Sequence, residues 1–399
     1  MRILFVAVLA ALLAQGEARA DADDTLNLAV GGSVMRDNNL FRLPDGVYPP
    51  AFLGSTARSE TVRSGSASLT YDKKVSLQSF HFGTSLSDNR YENFRALDFI
   101  AKGYDTHWDW QLDPSFSGRF SADRSQSLYP FTDYRGFQRN IQTIQNYGTT
   151  AEFGSLGWLR LFGGVNDSKI EMSQVVVQIG DYNTHAAYTG LKFVSDAYNS
   201  IALLSRVTRV DWLHRSLDLV GQNDIRAYQH DSELQAYWQI EGKTLLQATV
   251  TRLERTHPNT PVRDYDGTGA HFDLTWNATA KTQLLLTAAR DYAAWWDSAS
   301  SYTVTNRVAV TPVWQPTAKT QAKLRLERSS RDFLGPPFPA TFVGPARRDG
   351  DRVAQLALDW LPERSLSFEA SLTRDNRDSN AAGLSYADTT VMVSAQLSF

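Results

Sequence analysis

The C-terminal third of the chain alternates between apolar and polar residues, and this period of two restricts the fold more than any other feature. In residues 391–399 every odd position is apolar, and the even positions between them are polar apart from Met392. Nearly the same alternation occupies residues 366–372 and 354–360. Because successive side chains of a strand point to opposite faces, these segments are predicted to be β-strands with one apolar and one polar face.

A unit made of a strand ending in tryptophan, a short polar turn and a second strand recurs along the chain. Residues 314–321 repeat almost letter for letter as residues 276–283, and looser copies occupy residues 238–244 and 110–114. Each repeat of about 40 residues holds two long strands and one long loop, whereas a propeller blade fits four short strands into that length. The repeat therefore predicts antiparallel hairpins with short turns at one end and long loops at the other.

Hairpins arranged in this way are typical of transmembrane β-barrels. Hydrocarbon offers no hydrogen-bond partners, so a sheet within a membrane must close, with an apolar face toward lipid and a polar face toward the interior. Tryptophan suits the interface, where its ring is in lipid and its N–H is wet. Core filling in a soluble β-sandwich is the alternative for these side chains, but a sandwich does not require long loops at one end only. The tryptophans that precede turns are Trp110, Trp238, Trp276, Trp314 and Trp360.

The strand count follows from the turns. Short turns are predicted near Asp72, Pro114, Ser155, Asp196, Gly242, Thr279, Thr317 and Pro362. Adding a first strand near residues 25–34 and the final strand gives an all-β, antiparallel transmembrane barrel of about 18 strands, with short periplasmic turns and nine long extracellular loops. The turns near Ser155 and Asp196 are the least clear, so 16 strands is the alternative. Both numbers are even, as bacterial single-chain barrels require.

The first twenty residues have the three parts of a secretory signal peptide: a short charged start, an apolar run over residues 3–13, and small residues ending at Ala20. We therefore expect cleavage after Ala20, with residues 21–399 forming one barrel domain in the outer membrane of a Gram-negative bacterium. The apolar run is shorter than the roughly 20 residues that a membrane-spanning helix needs. Outer-membrane lipid and lipopolysaccharide are the expected surroundings of such a barrel.

A stretch of sequence that is more characteristic of one protein family than the strands are lies at the end of the first predicted strand. Residues 33–44, from Ser33 through Arg36, Asp37 and Asn39 to Pro44, resemble the EpsL-like outer-membrane proteins of exopolysaccharide operons associated with exosortase and PEP-CTERM sorting. The resemblance extends over the mature chain through the tryptophan hairpins, the length and the final phenylalanine. It implies a part in polysaccharide synthesis or export, with the polysaccharide chain and periplasmic export components as partners. It implies no catalytic or ligand-binding residue.

Motifs for chemistry are few. The chain has no cysteine, its seven histidines form no His-Glu-x-x-His spacing, and no Gly-x-Ser-x-Gly elbow occurs. No catalytic residue, metal or cofactor is therefore predicted. The net charge of −3 and the lack of a phosphate-cradling glycine loop argue against nucleic acid as a partner. The acidic stretches 37–39 and 375–378 suggest bound cations, but they lack the glycine and glutamate of an EF-hand loop, and solvated loop acids are the simpler interpretation.

The alternation assigns several charged side chains to the inner wall. The functional hypothesis is a mixed-charge channel for a hydrated chain, and the alternative is that opposite charges pair across strands and hold the wall together. In the stiff loop 333–340, Phe333 and Phe338 are candidate sugar contacts; a constriction that folds into the barrel and an ordinary solvated loop are the alternatives. The lumen-lining candidates are Arg119, Lys192, Arg206, Lys323, Arg325 and Glu369, with Asp109 and Glu327 beside them.

Three functions are compatible with these observations. The first is a non-enzymatic barrel that serves as a passive conduit or scaffold for exopolysaccharide export. The second is a diffusion porin for small solutes, since an 18-stranded barrel is wide enough for an aqueous channel unless loops plug it. The third, an outer-membrane hydrolase that trims the polymer, has the least support because no nucleophile motif is present.

Overall fold

Eighteen β-strands, each paired with its neighbours in sequence, form a closed antiparallel barrel in a computed structural model of the protein. The structure describes residues 25–154, 156–217, 224–295, 300–335 and 345–399. The predicted signal peptide lies outside these residues. The strands are β1 (Leu26–Asp37), β2 (Glu60–Val75), β3 (Gln78–Tyr91), β4 (Phe99–Asp113), β5 (Phe116–Leu128), β6 (Ile141–Phe153), β7 (Leu159–Met172), β8 (Tyr182–Val194), β9 (Ser200–Trp212), β10 (Arg226–Ile240), β11 (Thr244–Thr256), β12 (Tyr265–Thr279), β13 (Thr282–Ala294), β14 (Tyr302–Thr317), β15 (Thr320–Leu334), β16 (Arg348–Glu363), β17 (Leu366–Ser379) and β18 (Tyr386–Ser398).

The barrel closes where the first strand meets the last. β1 pairs with β18 from Ala29 opposite Ser398 to Asp37 opposite Thr390. Beyond that ladder, the Phe399 N–H donates to the Leu28 carbonyl at 2.8 Å, and the Leu28 N–H donates to the Phe399 carbonyl at 3.0 Å. The predicted 18 strands are confirmed, because the two uncertain turns do separate β6 from β7 and β8 from β9.

Short turns and longer loops occupy opposite ends of the barrel. The turn predicted near Asp72 lies instead at Ser76 and Leu77, because β2 continues through the charged residues 72–74 and Ser76 takes the positive φ of 56° that the turn needs. At the other end the loops range from residues 38–59 down to residues 380–385, so not all nine are long. Helical structure among the described residues is limited to short 3₁₀ segments in loops: Ala51–Leu53, Arg95–Leu97, Val175–Gly180 and Pro261–Arg263. None of the described helices has the length and apolar character needed to cross a membrane.

The two faces of the wall differ as the alternation predicts. On β16, Leu356 is 52% and Leu358 is 47% exposed on the outer surface, whereas the adjacent Gln355 and Ala357 face inward and are less exposed. The ring of Trp360 stacks on that of Phe368 across β16 and β17, with centroids 5.3 Å apart, just before the turn that joins these strands. The outer surface therefore carries an apolar band that ends in aromatic rings on the turn side, which is the arrangement of a membrane barrel.

A charge on the outer face should be costly, and a charge on the inner face should not. We expect Leu356→Arg, near the middle of β16, to lower the free energy of unfolding in bilayers by about 2–4 kcal/mol. Gln355→Arg, one residue away on the other face, is the matched control and should change it by less than about 1 kcal/mol. Urea titration of folding in lipid vesicles measures both. Equal losses for the two variants would show that the facing assignment is wrong.

Candidate functional site in the barrel interior

The inner wall carries paired charges. By register and parity, β4, β5, β8, β9, β15 and β17 direct the predicted lumen-lining side chains inward. Arg119 binds the Asp109 carboxylate directly across β4 and β5, with one contact at 2.9 Å. Lys323 lies 2.9 Å from Asp359 on the neighbouring strand. The remaining basic candidates also have acidic partners, in the ion pairs Lys192–Glu152, Arg206–Glu233 and Arg325–Glu327.

For each basic candidate, these pairs favour the interpretation that opposite charges hold the wall together over the interpretation that the charge contacts a solute. Carboxylates of the same wall hold these side chains in place and offset their charge, so each of the five basic candidates has an acidic partner. Glu369 lies opposite Asp359 and Ser394 in the register of the inner face. It lines a cavity of about 370 Å³ near the turn end with Gln321 and Gln396.

The histidines of the inner wall are also engaged. Both ring nitrogens of His81 lie within hydrogen-bond distance of carboxylates, 2.7 Å from Asp72 and 2.6 Å from Asp105. The His81 ring stacks on that of His107, with centroids 4.7 Å apart. With both nitrogens occupied, His81 has none left to act as a base or a metal ligand. Across the described residues, no group of three potential metal-ligating side chains occurs.

Side chains from the loops pack together at the extracellular end of the barrel interior. The Phe41 ring, 1% exposed, lies at the centre of an aromatic cluster. It meets Phe94, Phe131 and Phe137 edge to face at centroid distances of 4.8, 4.7 and 5.1 Å. These four rings come from three different loops. The cluster packs on the inward-facing side chains of Val62 and Tyr91, so the loops fold over the mouth.

Loop 129–140 also reaches the far side of the mouth. It leaves the wall between β5 and β6, yet its Asp133 carboxylate contacts arginines of β15, β17 and the segment just before β16. Eight strands separate β6 from β15 in one direction around the ring, and five separate β5 from β17 in the other. The loop therefore spans most of the opening. Its contacts are Asp133 with Arg331 at 3.2 Å, with Arg377 at 3.2 Å and with Arg347 at 3.5 Å.

This three-arginine contact has buried acidic neighbours. The side chain of Asp349 is completely buried, and its carboxylate lies 2.5 Å from Arg347 and 3.7 Å from Arg377. Asp351 lies 2.7 Å from Arg377, whose side chain is 5% exposed. Charges that lie this close and are removed from water attract more strongly than surface pairs do. We call Asp133 together with Arg331, Arg347 and Arg377 the mouth latch.

Arg135 of the same loop is partly buried without an acidic partner among the residues that the structure describes. Arg135 donates to the Gly383 carbonyl, but its Nε and one terminal nitrogen are buried without a hydrogen-bond partner. Burial, followed by repulsion from Arg377 and Arg347, lowers the pKa of Arg135. The group still carries its charge at neutral pH, since guanidinium loses its proton only under strongly basic conditions. Arg135 is therefore an unneutralised cation at the mouth.

The structure corrects two predictions about loops. Phe333 is not available to stack on a sugar, because its ring is 2% exposed, packs edge to face on Trp295 and is covered by the Arg347 guanidinium at 4.0 Å. It points inward from the end of β15, where the folded-over loops enclose it. Phe338 lies outside the described residues. The acidic stretch 375–378 is not a loop but part of β17.

The N-terminal motif joins the seam of the barrel to the mouth. Asp37, predicted to be a solvated loop acid, is 3% exposed and binds Arg42 at 2.8 Å. Arg42 also lies 3.2 Å from Asp388 of β18, and the Asn39 side chain donates to the Leu43 and Ala387 carbonyls. These contacts fix loop 38–59 to both strands of the seam and direct Phe41 into the aromatic cluster.

Comparison with known proteins bears on the fold. No protein-family model matches the sequence, and no curated protein matches it significantly. The outer-membrane protein OpdK from Pseudomonas aeruginosa is similar in structure, with a TM-score of 0.50 and 11% identity over 94% of this chain and 99% of that one. A BenF-like porin from Pseudomonas fluorescens Pf-5 has a TM-score of 0.50 and 11% identity, covering 95% and 99%. Pseudomonas aeruginosa OccK2 (OpdF), solved with glucuronate, has a TM-score of 0.51 and 10% identity, covering 94% and 98%. The chain therefore has the fold of Gram-negative outer-membrane porins, and identities this low extend the likeness no further than the fold.

Proposed function

We propose that this protein is a non-enzymatic outer-membrane channel through which small polar solutes diffuse. The fold shared with porins and the polar inner wall support a water-filled path, because wall side chains replace the hydrogen bonds that a solute gives up on entry. We infer a limit on solute size from loop 129–140, because this loop crosses the mouth and Asp133 ties it to the opposite wall. A polymer would have to displace this loop, and we expect only small solutes to pass beside it.

The charge at the mouth should make the channel prefer anionic solutes. The five basic lumen-lining candidates are paired with carboxylates, as in Lys323 with Asp359. Arg135 is not, and its buried nitrogens lack partners. Because charge in a narrow entrance raises the local concentration of oppositely charged solutes, small anions should enter more readily than small cations of the same size.

Solute flux through the purified protein tests this proposal. In proteoliposome swelling, a pentose should enter fast, a tetrasaccharide slowly and a dextran not at all. Vesicles prepared with boiled, unfolded protein provide the baseline. If folded protein admits no solute above that baseline, the porin proposal fails.

A passive conduit or scaffold for exopolysaccharide is the second candidate, and the resemblance of residues 33–44 to EpsL-like proteins favours it. The two proposals differ in the phenotype of a gene deletion. Loss of surface polysaccharide with unchanged uptake of small nutrients would support the conduit. Slower uptake of scarce small nutrients with normal surface polysaccharide would support the porin.

A further inference from the structure

The outer wall has a border at which aliphatic side chains give way to arginine. On β15 the outward-facing Leu326 is followed on the same face by Arg328, and on β17 Leu372 is followed by Arg374. Arg352 holds the equivalent place on β16, and Arg290 on β13. All four face outward in the loop-side half of the barrel and are exposed. We call these four residues the arginine crown.

The crown is short of negative charge. Arg328 lies directly opposite Arg352 in the ladder between β15 and β16, and like charges in this position destabilise a strand pair. Arg352 has one acidic partner, Asp378 at 3.4 Å, and both side chains are at least 66% exposed. Neither Arg328 nor Arg374 has an ion-pair partner within 4 Å in the described part of the chain.

The surroundings do not neutralise the crown. Arg290 donates to the neutral Asn306 side chain at 2.8 Å. The nearby Arg348 is paired with Asp332. Five arginines and two aspartates therefore leave this patch with a net charge of +3, although the whole chain carries −3. A patch of this charge, on the outer face beyond the aliphatic residues, attracts anionic groups.

An apolar groove of about 510 Å³ adjoins the crown below Arg290 and Arg328. On the outer face it runs between Phe272, 42% exposed, and Val308, 58% exposed. Small side chains form its floor, since Ala288 lies directly opposite Phe272 in the ladder of β12 and β13. A groove of this kind, on the lipid side of the wall and capped by arginines, has the chemistry to hold an acyl chain beneath an anionic headgroup.

We propose that the crown and the groove bind one phosphorylated acyl glycolipid of the outer leaflet. Its phosphates would lie on the crown, because guanidinium groups bind phosphate oxygens through paired hydrogen bonds. One acyl chain would lie in the groove beside Phe272 and Val308. The crown extends over four strand spacings, from β13 to β17, or about 19 Å at roughly 4.8 Å per strand. That span suits a headgroup with more than one phosphate better than a single phosphodiester. The proposal does not depend on which solute the lumen passes.

Binding of defined lipids to the purified, folded barrel tests the site. The probes are lipid A with two phosphates, its dephosphorylated form and phosphatidylglycerol, titrated in one detergent and followed by native mass spectrometry. The test variant is Arg328→Gln with Arg352→Gln. The matched control is Arg63→Gln with Arg90→Gln, an outward pair that is also directly opposite in its ladder. In the control pair each arginine has its own acid: Glu92 lies 3.7 Å from Arg63 and Asp88 lies 2.7 Å from Arg90.

We expect the test variant to bind phosphorylated lipid A about tenfold or more weakly, and the control to change by less than about twofold. The dephosphorylated form should bind weakly to wild type and be insensitive to both changes. Both variants should keep the heat-modifiable folded band, so loss of folding is separated from loss of the site. Equal losses in the test and control variants would overturn the proposal. Phosphatidylglycerol binding as tightly as phosphorylated lipid A would overturn the assignment to a glycolipid.

Discussion

Deletion of residues 391–399 should leave a chain that does not form a barrel. These residues pair with β1 on one side and with β17 on the other. Without them, both neighbouring strands present unpaired N–H and C=O groups to hydrocarbon, where each unsatisfied group costs several kcal/mol. The sum exceeds the stability of an ordinary domain, about 5–15 kcal/mol. We expect unassembled chain that is degraded in the periplasm.

Migration on a gel before and after boiling measures this result, since folded barrels shift on heating. Phe399→Ala is the comparison, because it removes the terminal ring but keeps the two backbone hydrogen bonds with Leu28. That variant should assemble in moderately reduced amount. A heat-modifiable band from the deletion variant would show that β18 does not close the sheet.

Asp133→Ala should widen the mouth. The substitution removes the one carboxylate shared by Arg331, Arg347 and Arg377, and leaves partly buried guanidinium groups with less countercharge. Because the Asp133 side chain is only 22% exposed, the loss is expected to be about 1–3 kcal/mol, below that of a fully buried pair. Such a change shifts the equilibrium between the tied and released loop by about 5- to 150-fold.

Single-channel recording in planar bilayers measures the effect. We expect larger conductance and more frequent transitions, together with faster amide hydrogen exchange in loop 129–140. Asp45→Asn is the control, because Asp45 is 94% exposed and its nearest basic nitrogen, on Arg58, is 3.9 Å away. The aromatic contacts of Phe131 and Phe137 remain in the variant, so the barrel itself should stay folded. Wild-type conductance in a folded Asp133→Ala protein would mean that the mouth latch does not limit the channel.

The state of the mouth latch distinguishes the two proposed functions. A tied loop suits a channel for small solutes, and a released loop would be required before a polymer could pass. If Asp133→Ala increased flux of a large dextran, the same barrel would be wide enough for the conduit once the mouth is open. The solute range of wild type and variant together therefore separates a limit set by the wall from one set by the loop.

The sequence by itself determined the wall of this protein. A strand in a membrane barrel has hydrocarbon on one side and water on the other. The alternation of apolar and polar residues around a position therefore predicts whether its side chain faces the lipid or the lumen. That is why the period of two locates Leu356 outside and Gln355 inside, and why the turns yield the 18 strands that the structure contains. Closure followed from the same physics, because an open edge in lipid has no hydrogen-bond partners.

Only the tertiary structure decided what occupies the mouth. Loops lie outside the hydrocarbon, so no periodicity constrains them, and their contacts join residues far apart in the chain. Asp133 and Arg377 are separated by 244 positions, and nothing local marks them as partners. The burial of Phe333 arises in the same way, because Trp295 and Arg347 reach it from other segments. The one available signal was the apolar character of Phe41, Phe131 and Phe137, since aromatic side chains in exported loops indicate burial against other loops. Which loops contact each other depends on the closed barrel, because closure brings the ends of distant strands to the same mouth.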